Sequence, residues 1–410
     1  MKKIDTGNSS FEKLVTSGNI YVDKTRFVYE LLTDGGTYYF LSRPRRFGKT
    51  LAVNTFEAVF NARRELFRGL YIDSVGYEWP KHPVLHFDFS KAETKSAGEF
   101  SNWLKWEMAR IGEKYGFAVN REMGVKSNLD ALISTAANRE GMKAVVLVDE
   151  YDKPLSDNIR NTNVEEIREV VREFFEVIKA ACNDLRFVFI TGVTRYAKVS
   201  IFSSMNNLND ISMDRRYAAM FGYAQSELET EFDEHIRLGV AATGMTRSAY
   251  MGKLKGMYDG YRFSDAPETV YNPVSVGSFF SKGGSDFVTY WTDTGGNAQL
   301  IVDMARHVNF DISKDLAEPV TRQIVSGYDI IDMTRDGADV RLLKSLLYQS
   351  GYLTISKVMP GGHSYVLDFP NAEVREGFAA RLLAVYAGDE AQRSFSSKAR
   401  NTSEWKKIVL

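Results

Sequence analysis

The sequence predicts an α/β fold, a mostly parallel sheet flanked by helices, followed by a mainly helical domain with a small β-hairpin near the C-terminus. Three observations carry this prediction. Ala144-Val145-Val146-Leu147-Val148 and Phe187-Val188-Phe189-Ile190 are continuous apolar runs, as expected of strands buried on both faces. Between them, Val164 to Ala181 places apolar residues at helical spacing with charged residues on the other face. Beyond about Ser226 the alternation stops and helical segments dominate. Strands separated by helices argue for a parallel sheet covered on both sides.

Along the chain, Tyr38-Tyr39-Phe40-Leu41 is a short apolar run that reads as the first strand. A basic, glycine-containing loop follows, and Lys49 to Phe60 then has helical periodicity. Val84 to Phe89 alternates as a strand does. In the second half, aromatic and glycine-rich turns such as Tyr258-Asp259-Gly260-Tyr261-Arg262-Phe263 separate the helices. Strand-like pieces at Leu353–Val358 and Ser364–Phe369 flank Pro360-Gly361-Gly362, a hairpin turn. The 410 residues exceed what one compact core usually holds, so two or three domains are expected. The divisions fall at 1–225 for the α/β core, 226–370 for a mainly helical, lid or winged-helix-like domain, and 371–410 for a remainder.

Composition narrows the function class. The 52 basic and 53 acidic residues leave a net charge of -1, so the bulk field gives no support to nucleic-acid binding. The single cysteine, Cys182, excludes an internal disulfide framework and is expected to be a buried structural residue beside Ala180 and Ala181. His82, His86, His235, His307 and His363 show no metal-ligand spacing. The opening Met1-Lys2-Lys3-Ile4-Asp5 lacks a signal-peptide stretch, and no apolar run reaches membrane-spanning length. The expectation is a soluble cytoplasmic protein.

Ser42-Arg43-Pro44-Arg45-Arg46-Phe47-Gly48-Lys49-Thr50 ends in Gly-Lys-Thr between a strand and a helix. That context is the one a P-loop demands, and it predicts a P-loop NTPase core. Backbone amides of Arg45, Arg46, Phe47, Gly48, Lys49, Thr50 and Leu51 at a helix N-terminus would present N–H groups to the phosphates of ATP. Lys49 would reach the β and γ phosphates, and the Thr50 hydroxyl would ligate Mg²⁺. The usual pattern has glycine where Arg43 stands, so the loop entry must differ, and Pro44 stiffens it. Arg43, Arg45 and Arg46 add positive charge in partial compensation. The rival reading is an ordinary basic helix entry.

The run Val145-Val146-Leu147-Val148 ends in Asp149-Glu150. In P-loop ATPases this places Asp149 beside the magnesium and Glu150 beside the attacking water. The rival is a buried strand surfacing in a polar turn, which two matched motifs in this order disfavour. Phe187–Ile190 runs into Thr191-Gly192-Val193-Thr194-Arg195. In the additional-strand class of P-loop ATPases this strand carries a polar sensor, a role open to Thr194 or Arg195, with Arg195 as a charge-stabilising finger and Lys198 as a weaker alternative. An arginine paired with a surface acid is the rival.

Taken with Tyr21-Val22-Asp23-Lys24-Thr25, Val148-Asp149-Glu150-Tyr151-Asp152-Lys153-Pro154-Leu155, Gly192-Val193-Thr194-Arg195, Phe202-Ser203-Ser204-Met205-Asn206-Asn207-Leu208-Asn209-Asp210-Ile211 and Tyr258–Phe263, these motifs resemble the bacterial AAA-ATPase-like proteins. The resemblance covers about residue 8 to 380, and it implies an ATPase module close to the signal-transducing STAND branch. It also implies that Arg43 is a habit of the family. Many relatives continue into a PD-(D/E)XK nuclease-like domain, so 371–410 is expected to be a remnant or start of one; Glu404-Trp405-Lys406 is a chance E-x-K.

The leading expectation is a Mg²⁺-dependent, ATP-binding ATPase acting as a conformational switch. The alternatives are a nucleotide-binding scaffold without turnover and the ATPase part of a nuclease-associated system. A protein partner or homo-oligomer and no membrane are expected. Tyr21, Asp23 and Lys24 are candidates for an adenine pocket or for a structural turn. Arg262 is a candidate second sensor or the partner of Asp259 or Asp265.

Overall fold

The computed structural model describes residues 1–195, 201–202, 205–291, 301, 304, 308, 310–327 and 339–381. Lys198, Ser203, Ser204, His307 and Glu404–Lys406 lie outside the described residues. The chain divides into two compact units, one built on Met1–Tyr223 and the other beginning at Ala224.

The first unit opens with α1 (Phe11–Thr16), α2 (Thr25–Thr33), β1 (Tyr38–Ser42), α3 (Lys49–Phe60) and α4 (Tyr71–Ser74). It continues through β2 (Val84–Asp88), α5 (Ala97–Gly112), α6 (Val125–Glu140), β3 (Ala144–Asp149) and α7 (Lys153–Asn158). It ends with α8 (Val164–Ala180), β4 (Leu185–Gly192) and the short β5 (Asn209–Asp210). The five strands form one sheet in the order β2-β3-β4-β1-β5, every pair parallel. The fold is therefore the α/β arrangement that the apolar runs predict. β4 lies between the strand that feeds the Gly-Lys-Thr loop and the strand that ends in the acids.

Period-two alternation sorts the strand side chains onto two faces. Phe187 and Phe189 of β4 pack against Phe56 of α3, at ring separations of 5.1 and 4.8 Å. His86 of β2 reaches Glu57 of α3, Nδ1 to Oε2 2.8 Å, on that same face. The opposite face takes α8, where Phe174 meets Phe87 at 5.1 Å. Helix α8 buries Ile167, Val171, Phe174, Phe175 and Ile178, a 3/4-spaced stripe of the kind the sequence pattern shows. Leu147 pairs with Phe189 in register, so Leu147 and Asp149, two residues on, share the α3 face.

Cys182 is exposed, which corrects the expectation of burial. α8 ends at Ala180 and only Ala181 turns inward, leaving Cys182 in the turn that leads to β4.

The second unit begins with α9 (Gln225–Glu231), α10 (Asp233–Thr243), α11 (Arg247–Tyr258) and α12 (Pro273–Ser281). It then runs α13 (Ile312–Ala317), β6 (Val320–Thr321), α14 (Arg322–Ser326), α15 (Val340–Gln349), β7 (Thr354–Val358) and β8 (Ser364–Asp368). The expected hairpin is β7–β8, turning through Gly361 (φ 90°) and Gly362 (φ 72°), backbone angles that favour glycine. β6 adds an antiparallel third strand, too short at two residues to leave a pattern in the sequence.

Gly260 explains the turn at 258–263. Its φ is 97°, and a side chain there would lie 1.9 Å from the Pro370 carbonyl oxygen. Among the described residues, Arg262 forms no ion pair with Asp259 or Asp265. Its Nε and Nη2 donate to the backbone carbonyls of Ala266 (2.6 Å) and Asp265 (2.7 Å), tying off the turn. The described part of 371–410 packs within this unit. Glu373, fully buried, accepts from Ser275 Oγ (2.7 Å) and from the amides of Tyr290 and Trp291. Residues 382–410 lie outside the described residues. No helix among the described residues is long and apolar enough to cross a membrane.

The aromatic layer under α3 sets the stability of the sheet. Phe187, fully buried, meets Tyr39, Phe56, Phe60 and Phe189. Phe187→Ala should lower the unfolding free energy by about 3–5 kcal/mol, read as an earlier urea midpoint at unchanged m-value.

Candidate functional site

The site gathers where β1, β3 and β4 end. The loop after β1 contains two left-handed residues, Arg46 (φ 70°) and Gly48 (φ 94°). Arg43 keeps a negative φ, so the position where a P-loop usually has glycine makes no demand for one here. Its role corrects the expectation that it adds charge to the loop. The side chain is 2% exposed, and Nη1 donates to the carbonyls of Ser42 (2.9 Å) and Ser212 (2.8 Å) while Nη2 reaches that of Tyr217 (3.2 Å). Arg43 therefore fastens the loop entry to the segment beyond β5. Its backbone N–H also continues the β1–β4 ladder by donating to Gly192 O, 3.1 Å. Arg45 is half-buried, Arg46 exposed and Phe47 buried.

Helix α3 starts at Lys49 with Gly48 as its N-cap, and no side chain caps it. Its N-terminus thus keeps backbone donors and the positive end of the helix dipole at the loop. The Lys49 ammonium, on a side chain 3% exposed, lies 3.3 Å from Glu150 Oε1 and 3.4 Å from the Pro44 carbonyl. The Thr50 hydroxyl hydrogen-bonds the Asp149 carboxylate. The four side chains expected to act on the phosphates, metal and water are thus brought together: Lys49 with Glu150, and Thr50 with Asp149. Leu51 stands in the first turn of α3 and is half-buried.

Asp149 is 1% exposed, and burial pushes its carboxyl up to about 6, the Glu150 charge adding to the rise. The Thr50 hydrogen bond and the Lys49 charge work in the other direction. One hydroxyl and one carboxylate form a hard-oxygen pair of the sort that suits magnesium, which prefers one or two carboxylates with the remaining ligands from water and phosphate. A buried carboxylate with a raised pKa is also one that a cation would stabilise. Glu150 has φ 52°, a conformation uncommon for any residue but glycine.

The end of β4 is arranged differently from expectation. Thr194 is fully buried and its hydroxyl donates to Asp152 Oδ2 at 2.6 Å, so the hydroxyl is engaged inside the protein rather than presented as a sensor. Arg195 is 4% exposed, its Nε donating to Ser42 Oγ (3.0 Å) and its Nη2 lying 3.7 Å from Asp210 Oδ1. The acid beside it is partly buried, and the contact joins the ends of β4, β1 and β5. Asp23 accepts from the Thr25 amide (2.8 Å), the Thr25 hydroxyl (2.7 Å) and the Tyr71 amide (2.7 Å). Lys24 Nζ donates to Ala219 O, 2.8 Å. The 21–25 segment is thus built as a structural turn.

Asp152 and Gly192 escaped the sequence reading. Asp152 is 2% exposed, and burial holds its carboxyl above the ordinary aspartate range, the Glu150 charge adding to it. The signal available was the third acid of Asp149-Glu150-Tyr151-Asp152, standing three residues beyond the strand end.

The model of the predicted AAA-ATPase family matches residues 5–202. An uncharacterised protein from the vnfD 5′ region of Azotobacter chroococcum mcd 1 is 33% identical over 396 residues, covering 95% of this chain and 72% of its own. The chain belongs to the AAA-ATPase-like family. Among solved structures, this AAA-ATPase-like chain is similar to the Aeropyrum pernix ORC2 protein in its ADP form, at 12% identity and a TM-score of 0.38, over 95% of this chain and 96% of that one. It is also similar to the Aeropyrum pernix ORC1 protein in complex with DNA, at 11% identity and a TM-score of 0.30, over 91% and 96%. The ADP and the DNA belong to those proteins. Family membership and the loop geometry together support an ATP-binding P-loop ATPase.

Two outcomes follow from this geometry. Arg43→Gly, which restores the usual P-loop glycine, should destabilise the protein by about 3 kcal/mol, because three carbonyls lose a charged buried donor. An unchanged chemical denaturation midpoint would show that the anchor contributes nothing. In the metal-free protein, the Asp149 carboxyl titrates near 6 when folded and at its ordinary value of 3.8 when unfolded. The unfolded state therefore loses its proton first, and stability falls as pH rises between those values, reaching its full cost above about 6. Asp149→Asn should raise the melting temperature at pH 7.5 and leave it nearly unchanged at pH 4.

Proposed function

We propose that the chain is a magnesium-dependent ATPase whose cycle works a conformational switch. The observation that carries this reading is the convergence of Lys49, Thr50, Asp149 and Glu150 at the ends of β1 and β3. The uncapped N-terminus of α3, the loop amides of 45–51 and Lys49 bind the phosphates of ATP and set the γ phosphate toward Glu150. Thr50 and Asp149 would hold magnesium, which when bound supplies charge neutralisation of the phosphate oxygens. Glu150 orients the attacking water and accepts its proton at a carboxylate oxygen. Its pairing with Lys49, 3.3 Å, brings both side chains to the same point. Arg195 is proposed to stabilise charge at the end of β4, which requires it to exchange its contacts with Ser42 and Asp210 for the phosphate.

A nucleotide-binding scaffold without turnover would be favoured by a disabled loop, but the negative φ and buried anchoring of Arg43 give no reason to regard the loop as disabled. Among the described residues, nucleic-acid binding draws no support from α15. The order α13-β6-α14-α15-β7-β8, with β8 central, supports a winged-helix-like assignment, but Leu342–Gln349 of α15 are all buried and cannot enter a groove.

The test is ATP binding and phosphate release by the purified protein with magnesium. Lys49→Ala should abolish detectable binding. Glu150→Gln should bind ATP as wild type does and release phosphate roughly 10²–10⁴-fold more slowly. Normal hydrolysis by Glu150→Gln would remove the role given to that carboxylate. In the same assay, Arg195→Ala with binding kept and turnover lost supports charge stabilisation, whereas joint loss of both assigns it to structure alone.

A further inference from the structure

We infer that Asp152 is the positioning residue that holds Glu150 in its working conformation, acting through a clamp on the end of β4. The inference rests on the ATPase reading above. It begins from the backbone of Glu150, a non-glycine residue with φ 52° directly after β3. Such a conformation persists only where the surroundings over-determine it.

Those surroundings are specific. The Glu150 amide donates to Asp149 Oδ1 at 3.0 Å, and its carbonyl accepts from the Lys153 amide at 2.9 Å. The next residue, Tyr151, donates its amide to the Thr191 carbonyl (3.1 Å) and its hydroxyl to the Thr194 carbonyl (2.9 Å). Asp152 completes the hook. Its carboxylate accepts from the Val193 amide (3.2 Å), the Thr194 amide (2.8 Å) and the Thr194 hydroxyl (2.6 Å). Only Tyr151 separates the pinned Asp152 from Glu150, so the turn cannot relax without releasing β4.

Two observations set this apart from ordinary helix capping. Asp152 occupies the N-cap position of α7, where an aspartate side chain usually accepts from the helix's own first amides. Here the side chain makes no capping bond and turns to β4 instead. β4 is also shaped to receive it. A side chain on Gly192 would lie 2.4 Å from Asp152 Oδ1 and 2.6 Å from the Tyr151 ring. Since β4 is hydrogen-bonded to β1 on one side and β3 on the other, the anchor is the end of an inner strand of the sheet. Asp152 reaches Glu150 through the backbone.

The experiment compares wild type, Asp152→Ala, Asp152→Asn and Thr194→Val in the full chain, reading ATP Kd, kcat and amide hydrogen exchange. Asp152→Ala should lower kcat roughly 10–100-fold and change Kd less than about threefold, a split expected when only the aim of a reacting group is disturbed. Asp152→Asn, which keeps an acceptor for the two amides, should recover part of the rate. Thr194→Val, missing one bond, should give a smaller loss and serves if Asp152→Ala fails to fold. Placed on Glu150→Gln, Asp152→Ala should add almost nothing, because the two act as one unit. An unchanged kcat, or a full additional loss on Glu150→Gln, would overturn the inference. If wild type binds ATP in a Lys49-dependent way without turnover, the ATPase reading fails by itself, and exchange decides this inference. Faster exchange of the Tyr151, Val193 and Thr194 amides in Asp152→Ala upholds the clamp; unchanged exchange refutes it.

Discussion

The parallel pairing of β4 with β1 on one side and β3 on the other is the constraint from which the site follows. In a parallel sheet the strands deliver their C-terminal ends to a common edge, and ligands of such sheets collect there. Inserting β4 between the loop strand and the acidic strand holds those two ends apart by one strand. Lys49 and Glu150 meet across that gap, and Thr50 reaches Asp149 because the alternation of β3 turns Asp149 to the α3 face. The charged chemistry thus depends on a hydrophobic fact: the aromatic packing of Phe56, Phe187 and Phe189 that seats α3 on the sheet.

The loop entry shows how a missing glycine can be accommodated. A P-loop uses glycine where its backbone must adopt angles that side chains resist. Here the left-handed positions fall at Arg46 and Gly48, and Arg43 stays in ordinary backbone territory. An arginine at that point then becomes useful for a different purpose. Its planar fork satisfies three carbonyls at once, something a shorter or single-donor side chain could not do. The exchange is flexible backbone for a buried anchor, and it stiffens the loop from outside the phosphate-binding stretch.

Strand and helix periodicity made the α/β core legible in the sequence. Buried parallel strands read as unbroken apolar runs, and α8 as a stripe, because burial geometry writes directly onto residue order. Gly48-Lys49-Thr50 and Asp149-Glu150 stood out as motifs at strand ends, and the fold brings Lys49 and Glu150 to one edge of the sheet. What stayed hidden depends on contacts distant in sequence. Thr194 looked like a sensor until Asp152, 42 residues away, was seen to take its hydroxyl. Arg43 finds its carbonyls 169 and 174 residues on, at Ser212 and Tyr217. Cys182 was misjudged because, of its apolar neighbours, only Ala181 lies on the inward side of a turn whose direction no local pattern encodes. β6 was too short for any period to show.

The balance of charge at this edge argues for what the site is built to receive. Asp149, Glu150 and Asp152 crowd within four residues, the Glu150 charge raising the cost of ionising Asp149 and Asp152, while Lys49 is placed among them. Hydrogen bonds from Thr50, and from Thr194 and Val193, offset part of that cost for Asp149 and Asp152. A site complementary to phosphate alone would gain nothing from such acids, which repel an anion. A site that holds a cation between carboxylate and phosphate has a use for Asp149. On the proposed reading, the α3 N-terminus and Lys49 would face the anion, and Thr50 with Asp149 would face the metal. Their separation by a single residue of sequence, Lys49 to Thr50, follows from the helix, which points consecutive side chains about a quarter-turn apart.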